Sequence, residues 1–219
     1  MTPRNGDGVV LLHGLGRTSG SMRLLGLRFE RAGYRTNCIR YPSTRFGLQT
    51  IAAHLEPKVR DFSGTVAGDV HFVTHSLGGL AVRALLTRYR PANLGRVVML
   101  APPNGGSEWA DALQRYRLAS LILGPASEHL VTQRSAAAEQ CFGPVDYPLG
   151  IVAGDRPLDK VFARRLMRGP HDGKVSVAST RVDGMADHIV LPTGHPLMPF
   201  HPKVAQQAIA FLRDGRFAR

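Results

Sequence analysis

The sequence predicts a single α/β domain: a mostly parallel sheet of about six strands with helices on both faces and an inserted helical cap. Three observations predict it. Short apolar runs alternate along the chain with segments of helical apolar spacing. The runs are continuously apolar, as in Val9-Val10-Leu11-Leu12, which marks strands buried on both faces. One stretch, 104–148, breaks this rhythm with Gly, Ser and Pro punctuation and reads as an insertion.

Each element follows from its own residues. Gly8–Leu12 is the first strand. A polar loop, 17–20, leads into a helix over about 21–31, with Gly33 as its stop. Residues 35–40 form a second strand, ended by Tyr41-Pro42. Leu48, Ile51, Leu55 and Val59 keep helical spacing, and Pro57 is expected to end or kink that helix. Residues 70–74 are a third strand, 78–89 a helix with Leu80, Ala84 and Leu85 on one face, and 96–100 a fourth strand. After the insertion, 150–153 resumes the sheet and Asp187–Leu191 is its last strand. Residues 202–213 form the closing helix, with His201 or Pro202 near its start.

Composition narrows the function classes. At 219 residues the chain fits one domain, 1–219, long enough to bury roughly 70% of its unfolded surface. No apolar run approaches the roughly 20 residues of a membrane span. The polar N-terminus and the short run Val9 to Leu12 show no signal peptide, so a cytoplasmic location is expected. Two cysteines, Cys38 and Cys141, read as free thiols. No Cys-x-x-Cys or His/Cys cluster suggests a metal, and no cofactor is expected. The net charge of +12 is spread over many segments, densest at Arg164, Arg165 and Arg168. No nucleic-acid motif or aromatic platform accompanies it. The charge reads as a solvated surface, with weak attraction to anionic surfaces left open.

The chemistry centres on Thr74-His75-Ser76-Leu77-Gly78-Gly79, which joins a predicted strand to a predicted helix. A serine at such a junction sits on a sharp, strained turn that lifts its hydroxyl above the C-terminal edge of the sheet. The residues two before and two after it must be small, because strand and helix nearly touch. Gly78 meets that need; Thr74 stands where glycine is usual. The bland alternative is a serine N-cap on an ordinary helix. A second segment, His13-Gly14-Leu15-Gly16, follows the first strand. Attack on an acyl carbon develops an oxyanion that needs two backbone donors. Leu77 N–H, next to the serine, is one candidate; Leu15 N–H, where Gly14 lets the chain turn inward, is the other. A phosphate-binding glycine loop is the competing reading, but no third glycine or Walker lysine follows.

A general base is expected after the last strand. Among nine histidines, His195 lies in a Gly- and Pro-flanked loop directly after it. His201 is the reserve, and His188 lies inside the strand. His75 and His13 read as support for the elbow and the oxyanion loop. The acid that orients the base is expected at Asp172, in a turn anchored by Val175 and Val177; Asp155 is its rival, with Asp159 and Asp183 behind. The order Ser, Asp, His suits this architecture.

Together these motifs resemble the α/β-hydrolase superfamily. Within it the chain is most similar to small bacterial lipases and esterases, and to lipase-like proteins related to the glycosylphosphatidylinositol-inositol deacylases. The resemblance implies an α/β-hydrolase fold and a cofactor-free acyl-enzyme mechanism on an ester, small or lipidic. Some lipases of this branch hold a structural calcium; no ligand set stands out here. The same triad would also serve an acyltransferase or thioesterase, and a non-catalytic binding module on this scaffold is a further alternative. The insertion is expected to cap the site, with Trp109 and Leu121 lining the substrate groove.

Overall fold

The computed structural model describes residues 6–115, 123–159, 167 and 169–219. Six strands form one parallel sheet: β1 (Gly8–Leu12), β2 (Arg35–Ile39), β3 (Val70–His75), β4 (Leu94–Leu100), β5 (Leu149–Gly154) and β6 (Asp187–Leu191). Their order is β2-β1-β3-β4-β5-β6. The described α-helices are α1 (Arg23–Arg31), α2 (Leu48–Ser63), α3 (Leu77–Arg88), α4 (Glu108–Arg115), α5 (Ala136–Glu139) and α6 (Pro202–Asp214). None is long and apolar enough to cross a membrane. The strand count, the parallel pairing and the helical faces agree with the sequence reading.

The apolar runs make this sheet because successive strand residues point to opposite faces and both faces are covered. Val9 and Leu11 enter a core shared with Leu25 and Phe29 of α1 and Ala208 and Phe211 of α6. Val10 and Leu12 enter the other core, with Leu48, Ile51 and Leu55 of α2 and Leu80 of α3. The chain leaves β1 for β2 on one side and resumes as β3 on the other. The winding therefore reverses between β1 and β3, and such a switch point opens a crevice at the C-terminal edge of the sheet.

Pro57 does not end α2, which continues through it to Ser63. The proline ring faces solvent, so the carbonyl one turn earlier can turn to water. Leu48, Ile51, Leu55 and Val59 are fully buried and pin the helix on both sides of it. Packing here outweighs the roughly 3 kcal/mol helix penalty of proline.

The stretch 104–148 contains α4, a 3₁₀ turn at Gly124–His129 and α5. Its described apolar residues, among them Trp109, Leu123 and Leu130, join the core of α2 and α3 and do not form a separate one. Arg134 clamps it. Its guanidinium is nearly buried and donates to the carbonyls of Pro103, Asn104 and His129 (2.6, 2.7 and 2.7 Å), and it pairs with Glu139 at 3.0 Å. Cys38 and Cys141 are free thiols.

Burial holds the pKa values of His13, His71, His75, His129 and His188 below the ordinary 6.5, that of His188 at about 4. Unfolded, each takes a proton near that ordinary value; folded, each resists until the pH is lower. The stability they contribute is present above about pH 6.5 and is lost as the pH falls toward the folded values. The thermal midpoint is expected to fall between pH 7 and pH 5, as followed by circular dichroism. A midpoint that is flat or rises over that interval would contradict this.

Candidate active site

The site is built around a turn with no loop in it. β3 ends at His75, α3 begins at Leu77, and Ser76 alone makes the connection with φ 54° and ψ −123°. This is a left-handed region that a non-glycine residue enters only at a cost of about 1–3 kcal/mol. The turn is enforced by proximity. A methyl group on Gly78 would lie 2.7 Å from the Leu12 carbonyl oxygen and 2.9 Å from that of His13. A methyl on Gly14 would lie 3.1 Å from Ser76 Cβ. Thr74, in the position where glycine is usual, is fully buried, and its hydroxyl has no hydrogen-bond partner among the described residues. The Ser76 hydroxyl thus stands at the switch point, above the C-terminal edge of the sheet.

His195 opens a 3₁₀ turn, His195–Phe200, that follows β6. Its Nε2 lies 2.9 Å from Ser76 Oγ, and its Nδ1 lies 2.7 Å from Asp172 Oδ2. Asp172 is 1% exposed. Its other oxygen, Oδ1, accepts the backbone N–H groups of Lys174 and Val175, each at 2.9 Å. The backbone N–H of His195 also donates to the Asp172 carbonyl, at 3.0 Å. The two residues are therefore joined at both main chain and side chain. The structure brings together Ser76, His195 and Asp172. Asp155 sits at the end of β5, 3.8 Å from the Arg156 guanidinium, and not on His195. His201 takes the N-cap of α6. His188 stays in the sheet, with Nε2 at 2.9 Å from Thr180 Oγ1.

Two supporting histidines have partners that the sequence did not reveal. His75 Nε2 donates to the carbonyl of His195 at 3.0 Å, with the rings 4.9 Å apart. Burial, and then the proximity of His195, push the His75 pKa well below its ordinary value, so it is a neutral strut. His13 Nδ1 donates to the Gly14 carbonyl at 2.9 Å, and its ring stacks on Tyr41 at 4.2 Å. The Tyr41 hydroxyl in turn donates to the His13 carbonyl. Tyr41 reads in the sequence only as a strand end, yet it holds the loop that carries Leu15.

The N–H groups of Leu15 and Leu77 have no hydrogen-bond partner among the described residues. Leu77 is the first residue of α3, where such N–H groups are left over. An open cleft of about 590 Å³ lies over Ser76. Leu15, His195, Arg17 and Lys174 face it, and Trp109 and Leu130 form an apolar wall. Lys174 Nζ lies 4.5 Å above the Trp109 ring. Leu121 lies outside the described residues.

One described group has the composition of a metal site: Asp7, Asp69 and His71, at the opposite, N-terminal edge of the sheet. The Arg96 N–H donates to His71 Nδ1 at 2.8 Å, so Nε2 carries the proton. That proton faces Asp7 at 3.6 Å. A metal would need the lone pair that this tautomer lacks, and the group reads as a buried structural contact between a neutral imidazole and a carboxylate.

The sequence model of the alpha/beta hydrolase family matches residues 9–217. No curated protein sequence matches the chain. Among solved structures, the chain is similar to the mature lipase BlEst2 of Bacillus licheniformis, with a TM-score of 0.80 and 20% identity over 99% of this chain and 95% of that one. It also resembles the phospholipase PlaB of Legionella pneumophila (TM-score 0.72, 18% identity, 97% of this chain and 61% of PlaB). A third is the metagenomic carboxyl esterase MGS0156 (TM-score 0.68, 19% identity, 89% of this chain and 66% of that one). The chain spans 52% of the propeptide form of BlEst2.

The close approach at Gly78 has a measurable consequence. Gly78→Ala is expected to cost about 1–3 kcal/mol or more in urea unfolding, because the backbone carbonyls it would strike cannot move independently. Gly47→Ala, where an added methyl meets nothing within 4 Å, is expected to cost less than about 1 kcal/mol. Equal effects of the two substitutions would contradict the packing account.

Proposed function

The chain belongs to the alpha/beta hydrolase family, and on that premise we propose that it hydrolyses carboxylic esters through an acyl-enzyme formed on Ser76. The observation that carries this reading is the hydrogen-bonded line from Asp172 Oδ2 through His195 to Ser76 Oγ, 2.7 and 2.9 Å long in its two links. It lies at the mouth of a cleft with an apolar wall. The lipase, phospholipase and esterase that share the fold support an ester as substrate.

In the proposed reaction Ser76 Oγ attacks the acyl carbon while neutral His195 takes the hydroxyl proton at Nε2. Asp172 keeps the proton of His195 on Nδ1 and stabilises the imidazolium that forms. The acyl oxygen becomes an oxyanion between the N–H groups of Leu77 and Leu15, each such donor contributing about 2.7–4 kcal/mol in the transition state. The tetrahedral intermediate breaks its bond to the alcohol oxygen, which leaves with the proton from His195. Water then attacks the acyl-enzyme, gives its proton to His195 and releases the acid, and Ser76 Oγ regains that proton.

The acyl chain is assigned to the wall formed by Trp109 and Leu130. In this reading the insertion 104–148 acts as a cap that sets chain-length preference. Leu121 belongs to the same expectation.

Ser76→Ala is expected to abolish hydrolysis of p-nitrophenyl esters while the fold, followed by circular dichroism, is retained. Asp172→Asn is expected to lower kcat by up to about 10⁴-fold, and Asp155→Asn far less. A folded Ser76→Ala variant with undiminished turnover, or the opposite ranking of the two aspartates, would overturn the assignment.

Trp109→Ala is expected to lower the ratio of kcat/KM for p-nitrophenyl octanoate over acetate. An unchanged ratio would move the acyl-binding wall elsewhere.

A further inference from the structure

A second groove, of about 880 Å³ including its open mouth, lies beside the cleft at the same edge of the sheet. Its walls come from the loop after β1, the loop after β2 and one face of α2. Arg17, Arg40, Arg45 and Lys58 line it, together with His54, and no acidic residue does. Every Asp and Glu of the chain lies among the described residues, so no carboxylate outside them can neutralise this cluster. None of the four cations forms an ion pair among the described residues.

The groove is continuous with the chemistry. Arg17 lines both the groove and the cleft over Ser76, where Lys174 adds a further positive charge. These charges act on their neighbours. After burial, Arg17 is the next cause holding the Lys174 ammonium below its ordinary pKa, and Lys58 acts in the same way on His54. Gathering like charges at one edge raises the free energy of the empty site, and an anion placed among them recovers it. Lys58 is also oriented: it donates to the Arg40 carbonyl at 2.8 Å and to His54 Nε2 at 2.9 Å. One of its three N–H donors is left for a ligand.

We propose that this groove receives a phosphate carried by the ester substrate, so that the preferred substrates are acyl esters of a phosphorylated alcohol. The inference rests on the ester-hydrolase reading above. The acyl chain lies against Trp109 and Leu130, the ester carbonyl at Ser76, and the alcohol part passes Arg17 to reach Arg40, Arg45 and Lys58. A phosphate monoester brings a charge of about −1.5 to −2 and three strong acceptor oxygens. Guanidinium forks match such oxygens in pairs, whereas a lone carboxylate would leave most of these cations unanswered.

The test compares 1-octanoylglycerol with 1-octanoylglycerol 3-phosphate, both as monomers in solution and then in vesicles of neutral phosphatidylcholine. For the wild-type chain, kcat/KM is expected to favour the phosphorylated ester by at least about tenfold in both presentations. Arg40→Gln/Arg45→Gln, whose guanidinium groups form no hydrogen bond or ion pair among the described residues, is expected to reduce that ratio by roughly tenfold. Equal efficiency on the two esters, or a ratio the double substitution does not move, would overturn the proposal. A preference confined to vesicles would also overturn it, as attraction to a surface. Inorganic phosphate distinguishes a free ion from a substrate-borne one: inhibition of the phosphorylated ester alone is expected. Equal inhibition of both esters would make the groove a free-phosphate site and overturn the assignment. Calorimetric titration of 1-octanoylglycerol 3-phosphate into a Ser76→Ala chain, with and without the two arginine substitutions, separates this inference from the hydrolase reading. If neither ester is cleaved but the arginine substitutions weaken binding, the hydrolase reading fails and the groove assignment stands. If both esters are cleaved but the arginine substitutions leave binding unchanged, the groove assignment fails and the hydrolase reading stands.

Discussion

The first turn of α3 packs directly onto the end of β1, and most of the site depends on that contact. Gly78 is close enough to the carbonyls of Leu12 and His13 that no Cβ fits between them. With strand and helix this near, the chain has one residue in which to reverse, and Ser76 takes the left-handed conformation as a result. The same contact sets the loop after β1 beside the serine and leaves the N–H groups of Leu15 and Leu77 without partners among the described residues. The strain is supported by the fully buried strands on either side, β1 and β3, whose residues fill both cores. A stable sheet can hold a costly turn that an isolated segment would relax.

The remaining site residues are supported in layers. Burying the Asp172 carboxylate is costly in isolation, and three N–H donors offset the cost: two from the backbone and one from His195. His195 is held at its main chain as well, its N–H on Asp172 and its carbonyl on His75. Because His75 is itself buried and neutral, it fixes position without adding charge beside the imidazole. On the other side of the cleft, Tyr41 ties the loop after β1 to the end of β2. Arg134 performs a comparable service for the stretch 104–148, gathering three carbonyls from two separate turns.

Much of this was legible in the sequence where the signal was local. The strands announced themselves as apolar runs, and the elbow by a serine between a β-rich run and a Gly-Gly helix start. His195 and Asp172 were legible by position, one in the loop after the last strand, the other in a turn backed by valines. What was not legible depends on contacts between residues far apart in the chain. Tyr41 meets His13 across 28 positions, and His75 meets His195 across 120. No local pattern distinguishes either from an ordinary core aromatic. The cationic groove is of the same kind. Arg17, Arg40, Arg45 and Lys58 look scattered along the chain and converge only because β1 and β2 are neighbours whose C-terminal loops share an edge. At Pro57 the local signal does not end the helix, since burial on both sides of the proline carries it through.

The account turns on Ser76 as the residue that forms the covalent intermediate. Its most direct measurement is peptide mapping by mass spectrometry after the folded chain is treated with a fluorophosphonate, which reacts with serines activated by an adjacent base. The account predicts a single stoichiometric adduct on the peptide that contains Ser76, lost when the protein is unfolded before treatment. No adduct on the folded chain, or an adduct on a different serine, would contradict it.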